Sequence, residues 1–386
     1  MVSLDLPTVD EVMRAPIKTR EVIGFGILPI IEREFNKCGA AVLATWRIDA
    51  WDYVGLPADT PAHIAARRAW IEWLMFAKAV MPVLPGGKAK QKRNQNLLAN
   101  LAARWAEGER MIVWEEALQR AGGRPEARRS NAGEKPEAKF ERKRLEVISL
   151  AERGLPGKAI QRATSQGMAA NTPETETIIR AKFPAAPVHQ STTPRALAPP
   201  SNELTEEGIA KAIHSFARGV APGPSGHRPD FYKQIIGELG DRPGCAILTG
   251  ISNLLADGRA PKQLRPYLGG ARGVALHKTN KNGGEDARPA CSGEAIRRIV
   301  GKALLATEIE PLRAHLLPLQ LAIGVKAGVE AMPHLARQWL SDHRDDPDRV
   351  LVNSDESNAH NKVDRHTFLM RMREIAPRLS RWLEWV

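Results

Sequence analysis

The sequence predicts an α+β protein that is predominantly helical, and three observations carry that expectation. Apolar residues recur at i, i+3, i+4 and i+7 through most of the chain, as in Leu97, Leu98, Leu101, Ala102 and Trp105. Two short stretches read as strands: Val274 to Leu276, which returns from Arg288 across the turn-forming KTNKNGGEDA, and Val350 to Val352. Glycine and proline cluster between the periodic segments and punctuate the chain into short helices.

At 386 residues the chain is long enough for two or three domains, each with its own core. A hydrophobic content of 43% against 26% charged residues argues against wholesale disorder, and no apolar run is long enough to cross a bilayer. The start, MVSLDLPTVDEVMR, lacks a basic n-region and apolar h-region, so the expected location is intracellular, in nucleus or cytoplasm. Cys38, Cys245 and Cys291 are too few and too scattered for a disulfide framework or a local zinc site. The formal charge of +12 attracts phosphate polyanions by counterion release, so RNA or DNA backbone is the expected partner, with no membrane and no small-molecule cofactor. Plain solubility is the competing account of the same charge.

Residues 1–121 read as a helical, tryptophan-rich region. Ile64, Arg67, Ala69, Trp70, Trp73 and Leu74 form one stripe and Leu97 to Trp105 another. Such stripes pack into a core, whereas base-stacking platforms require exposed rings interleaved with cations. Lys88 to Arg93, KAKQKR after a Pro-Gly-Gly break, is either a phosphate-binding or nuclear-import patch or a solvated helix start. Residues 122–139 are polar, rich in glycine and proline, and read as a linker. Over 140–184 short helices are expected, broken at Gly154, Gly167 and Pro173, with Asn171 or Thr172 capping the last. Residues 185–201 form a second, Pro/Thr-rich linker.

Residues 202–386 open with an amphipathic helix carrying Leu204, Ile209, Ile213 and Phe216, ended by Gly219 and the turn-rich APGPSGHRP. Helices over Phe231–Leu239 and Ala246–Leu255 precede the hairpin. One long helix from Gly293 to Leu316 follows it, then another from Glu330 to His343. The run Val350–Val352 reads as a buried strand ending at Asp355, and Asp364 as the N-cap of a helix carrying Phe368, Leu369, Met372 and Ile375. On spacing alone Asp355 is either a turn cap or a ligand for a hard cation.

Four motifs in order, APGPSGHRPDFY, ALHKTNKNGGEDARPACSGEAIRRIVGKAL, QLAIGVKAGVEAMPH and LVNSDESNAHNKVDR, resemble the reverse-transcriptase domain of non-LTR retrotransposons. The resemblance covers roughly residue 139 to the end; the segment ERGLPGKAIQRATSQGMAANTPETETIIRAKFP looks like the helical stretch that precedes the polymerase domain in these elements. It implies reverse-transcriptase-like fingers, an incomplete palm and, by descent, RNA-directed DNA polymerase activity. By the same resemblance Lys278 and Arg288 fall where the fingers hairpin contacts the incoming nucleotide triphosphate, a task suited to an ammonium and a bidentate guanidinium. Arg297, Arg298 and Lys302 fall on the following helix, where they either contact template or primer backbone or lock the fingers by an ion pair. Asp355 matches the first catalytic aspartate, a Mg²⁺ ligand and the catalytic residue of the motif.

Departures from the pattern accompany the match. Glu356 stands where an apolar residue packs under the site, and a carboxylate buried there is costly unless paired. His360 replaces the bulky aromatic that guards the nucleotide sugar, and Ala290 the isoleucine after Arg-Pro. The family's Tyr-x-Asp-Asp motif has no counterpart in these residues. The chain is therefore expected to be a truncated retrotransposon reverse transcriptase, inactive in isolation. The alternatives are a non-catalytic basic nucleic-acid-binding module and a functionless decayed copy.

Overall fold

Proline opens many of the helices of this fold. Pro29, Pro61, Pro156, Pro173, Pro229 and Pro243 each occupy a first turn, where an absent N–H has no helical partner to lose. Side-chain caps at Thr8, Thr60, Thr172, Thr205 and Asp364 start others, each accepting a backbone N–H of the first turn. In a computed structural model of the chain, the residues described are 6–19, 27–45, 60–84, 91–122, 136–152, 154–183, 198–280, 283–354 and 359–386.

In chain order the α-helices are α1 (Val9–Arg14), α2 (Pro29–Ala44), α3 (Pro61–Val80), α4 (Gln91–Ala106), α5 (Arg110–Gly122), α6 (Pro136–Glu152), α7 (Pro156–Thr164), α8 (Pro173–Ala181), α9 (Glu206–His214), α10 (Pro229–Ile236), α11 (Pro243–Ala256) and α12 (Arg265–Leu268). Strands β1 (Ala271–Thr279) and β2 (Glu285–Gly293) follow. Then come α13 (Ala295–Thr307), α14 (Ile309–Leu316), α15 (Gly328–Asp342), α16 (Ala359–Lys362), α17 (Arg365–Ile375) and α18 (Ser380–Trp385). The predominantly helical expectation holds, and the described residues contain one two-stranded antiparallel sheet. No helix among them is long and apolar enough to cross a membrane.

The tryptophan stripes are core. Trp70, Trp73, Leu74, Leu101 and Trp105 are buried in one cluster with Phe35, Ile209, Tyr232, Leu248, Ile296 and Trp385. That cluster is continuous from the first helices to the last, so the early helices and the residues after 201 share a hydrophobic interior. The breaks at Gly154 and Gly167, both at positive φ, and the Thr172 cap stand where the sequence places them.

Two expectations fail for identifiable reasons. The single long helix after the hairpin divides at Glu308, because Pro311 has no N–H to give and its ring crowds the carbonyl of Thr307. Val350, Leu351 and Val352 form no buried strand: they are 76%, 52% and 80% exposed. A strand requires a neighbour to take its N–H and C=O groups, and no described segment runs beside these residues. The Asp364 cap does form, its carboxylate accepting Thr367 N–H at 2.7 Å, and α17 rests Met372 and Ile375 against the core. Asp364→Ala is expected to cost about 1 kcal/mol, read as a lower urea midpoint with an unchanged slope.

Candidate nucleic-acid interface

Strand alternation places the hairpin's cations. Leu276 lies opposite Arg288 and Lys278 opposite Asp286, so Lys278 and Arg288 are diagonal neighbours on one face, roughly 7–8 Å apart at their backbones. Arg272, opposite Ser292, belongs to the same face about 20 Å from Lys278 along β1. All three side chains are exposed, and none forms a side-chain hydrogen bond or ion pair with another described residue. The turn is set by Asn280, whose backbone N–H donates to Gly284 O at 2.9 Å and whose side chain accepts Gly284 N–H at 2.8 Å; Gly283 supplies the positive φ.

Both edges of the hairpin are covered. The connection between α7 and α8 runs antiparallel along β1, with Ala169 N–H donating to Ala275 O and His277 N–H to Gly167 O, both at 3.0 Å. At the other edge Lys182 donates to the Asp286 carboxylate and to Ala287 O, each at 2.6 Å. That ammonium holds the Asp286 carboxyl below its ordinary range. Pro289 sits at an outward-facing edge position, where no ladder bond is lost.

The root of the hairpin is tied by the next helix. The Arg297 guanidinium lies against Gly293 and donates to Gly269 O at 2.7 Å, joining the two ends of the hairpin. Arg298 donates to Ala221 O at 2.9 Å and lies over the Phe216 ring. Lys302 places its ammonium 4.1 Å from that ring centre and donates to Ser215 Oγ at 2.8 Å. Arg297 and Arg298 thus lock the root through carbonyls, and the Glu294 carboxylate attracts both guanidinium charges.

Sequence reasoning missed the buried polar cluster beneath this root. Glu294, the N-cap of α13, is fully buried, and its carboxylate accepts both the N–H and the hydroxyl of Ser225, the latter at 2.8 Å. Burial pushes the Glu294 carboxyl above its ordinary range, against the pull of Ser225, Lys78 and Arg298. The turn can approach this closely because Gly223 has no side chain: a Cβ there would stand 2.5 Å from Glu294 Cα. Lys78, 2% exposed, donates to Val12 O, Met13 O and Ala15 O at 2.6, 3.1 and 3.0 Å, closing the C-terminal end of α1; burial lowers its pKa to about 8. His227 packs edge-on to Trp73 and Phe35 and its Nδ1 meets Tyr232 Oη at 2.9 Å. Burial first, and the Lys78 charge second, push the His227 pKa down to about 3. PSGHRP, legible only as a turn, is a buried joint.

His360 is exposed on the one-turn helix α16. Asp355 and Glu356 lie outside the described residues, as do Lys281 and Asn282 at the hairpin tip. Among the described residues no three histidine, cysteine or acidic side chains converge as a metal site. Comparison with protein families, curated proteins and solved structures returned no match.

Proposed function

We propose that this chain is the fingers portion, with the first palm motif, of a reverse transcriptase of the non-LTR retrotransposon kind, and that it binds nucleic-acid phosphates without polymerising. One observation carries the binding half: the register that sets Lys278 and Arg288 diagonally on one exposed face, neither held by a side-chain hydrogen bond among the described residues, with the Asp286 carboxylate opposite Lys278 already drawn to Lys182. A planar guanidinium and a mobile ammonium at that separation can engage successive phosphate oxygens of a nucleotide or a strand. The polymerase lineage rests on the four ordered sequence motifs. Asp355 is the Mg²⁺ ligand that the resemblance assigns and His360 the residue facing the nucleotide sugar, and Glu356 and His360 both depart from the family pattern of that site.

The chain should shift the fluorescence anisotropy of a labelled single-stranded RNA or DNA with micromolar, sequence-indifferent affinity at about 50 mM salt. Absence of binding at that salt would overturn the phosphate reading. Primer extension with Mg²⁺ should be absent. Extension that disappears in Asp355→Ala would contradict the inactive half of the proposal.

A further inference from the structure

The turn Gly223 to His227 stands between two parts of the molecule that share no sequence neighbourhood. On one side Thr19, 3% exposed, donates its hydroxyl to Gly226 O at 2.6 Å, and Arg228 reaches back to Thr19 O at 3.4 Å. Thr19 also bridges to Pro82, just past α3, so it belongs to the early helical layer. On the other side Ser225 is bonded through its N–H and hydroxyl to Glu294, the residue that directly follows β2. The Ser225 hydroxyl also accepts His227 N–H at 3.2 Å, which fixes its rotamer toward Glu294. No slack is available in between. Gly226 adopts φ +86°, and a Cβ there would lie 2.5 Å from Thr19 Cγ2.

We propose that this turn is a clasp by which the early helical layer sets the position of the hairpin, with Thr19, Ser225 and Glu294 acting as positioning residues for its Lys278 and Arg288 face. A buried carboxylate holding two donors of one residue tolerates little displacement, because any shift leaves polar groups unsatisfied in the interior. Thr19 touches no hairpin residue through its side-chain bonds, yet it holds the carbonyl one residue beyond Ser225. Loosening that bond frees the turn, the turn frees Glu294, and Glu294 frees the end of β2 and the start of α13. Arg297 braces the same root independently, so the hairpin remains formed while its protection falls.

Hydrogen exchange on the full chain tests this without nucleic acid, so its outcome is separate from that of the phosphate reading. Thr19→Val keeps the side chain's shape and removes one hydrogen bond. Exchange across 271–279 and 285–293 should quicken about fivefold, with the central turns of α3 unchanged. Thr19→Ser, which keeps the hydroxyl, should restore the wild-type rate. Ser225→Ala should quicken the same peptides, and the double variant should be no faster than the faster single variant. Unchanged hairpin exchange in Thr19→Val overturns the clasp. So does an equal rise in α3, a failure of Thr19→Ser to restore the rate, or a double variant whose effect is the product of the two singles.

Discussion

Acidification from neutral to about pH 4 is expected to cost the chain about 3 kcal/mol through His227 alone. The ordinary value for this imidazole is 6.5, and burial with Lys78 nearby lowers it to about 3 in the fold. Between those limits the unfolded chain binds a proton that the folded chain refuses. Stability from this group is therefore complete above 6.5 and is lost as pH falls toward 3. Groups around the ring are Lys78 on α3, Tyr232 on α10 and the aromatic rings of Trp73 and Phe35. Glu294 works in the opposite sense: its raised pKa lets the fold hold a proton sooner than the unfolded chain as pH falls, so some of the loss is offset. Comparison with His227→Asn, whose amide can still pair with the Tyr232 hydroxyl, isolates the imidazole. Urea unfolding should show the wild type losing about 3 kcal/mol more than the variant between neutral pH and about pH 4. Parallel losses in the two proteins would contradict a buried neutral histidine.

Trp73→Ala is expected to destabilise by about 3–5 kcal/mol. The ring is fully buried and stands 5.8 Å from Trp70, 6.0 Å from Phe35 and 4.9 Å from His227, centre to centre, so its removal opens a cavity where three aromatic partners meet. Circular dichroism during denaturation reads this as a sharply lower midpoint. Oligonucleotide affinity of the folded variant in the cold should match the wild type, because no base can reach the ring. Near-native stability with weakened binding would instead make the stripe a stacking platform.

Local signals were readable and distant pairings were not. Helical spacing announces α3, α4, α9 and α17, Asp364 announces its cap and Asn171-Thr172 narrows another to two residues, because each signal lies within one turn of the residue it governs. The hairpin was legible from its Asn- and Gly-rich turn. The division at Glu308 is written in Pro311, although the apolar period runs straight through it. Val350 to Val352 misled because a strand is a property of two segments, and β-branched composition names only one of them. The cover over β1 comes from Gly167 to Ala169, residues with no strand pattern. The joint under the hairpin was hidden for a different reason: Ser225 and Glu294 are 69 positions apart, and a buried carboxylate has no periodicity to betray it. Of the interface, Lys278 and Arg288 were found through resemblance, while Arg272 emerged only from the register.

The most direct measurement of the phosphate-binding claim is the slope of log affinity against log salt for a single-stranded oligonucleotide, compared between the wild type and the Lys278→Ala/Arg288→Ala double variant. Both side chains are exposed, so the variant keeps its fold. Loss of two phosphate contacts predicts a shallower slope by about 1.4 and a weakening that is the same for every sequence tested. Equal slopes and equal affinities in the two proteins would contradict the assignment of this face.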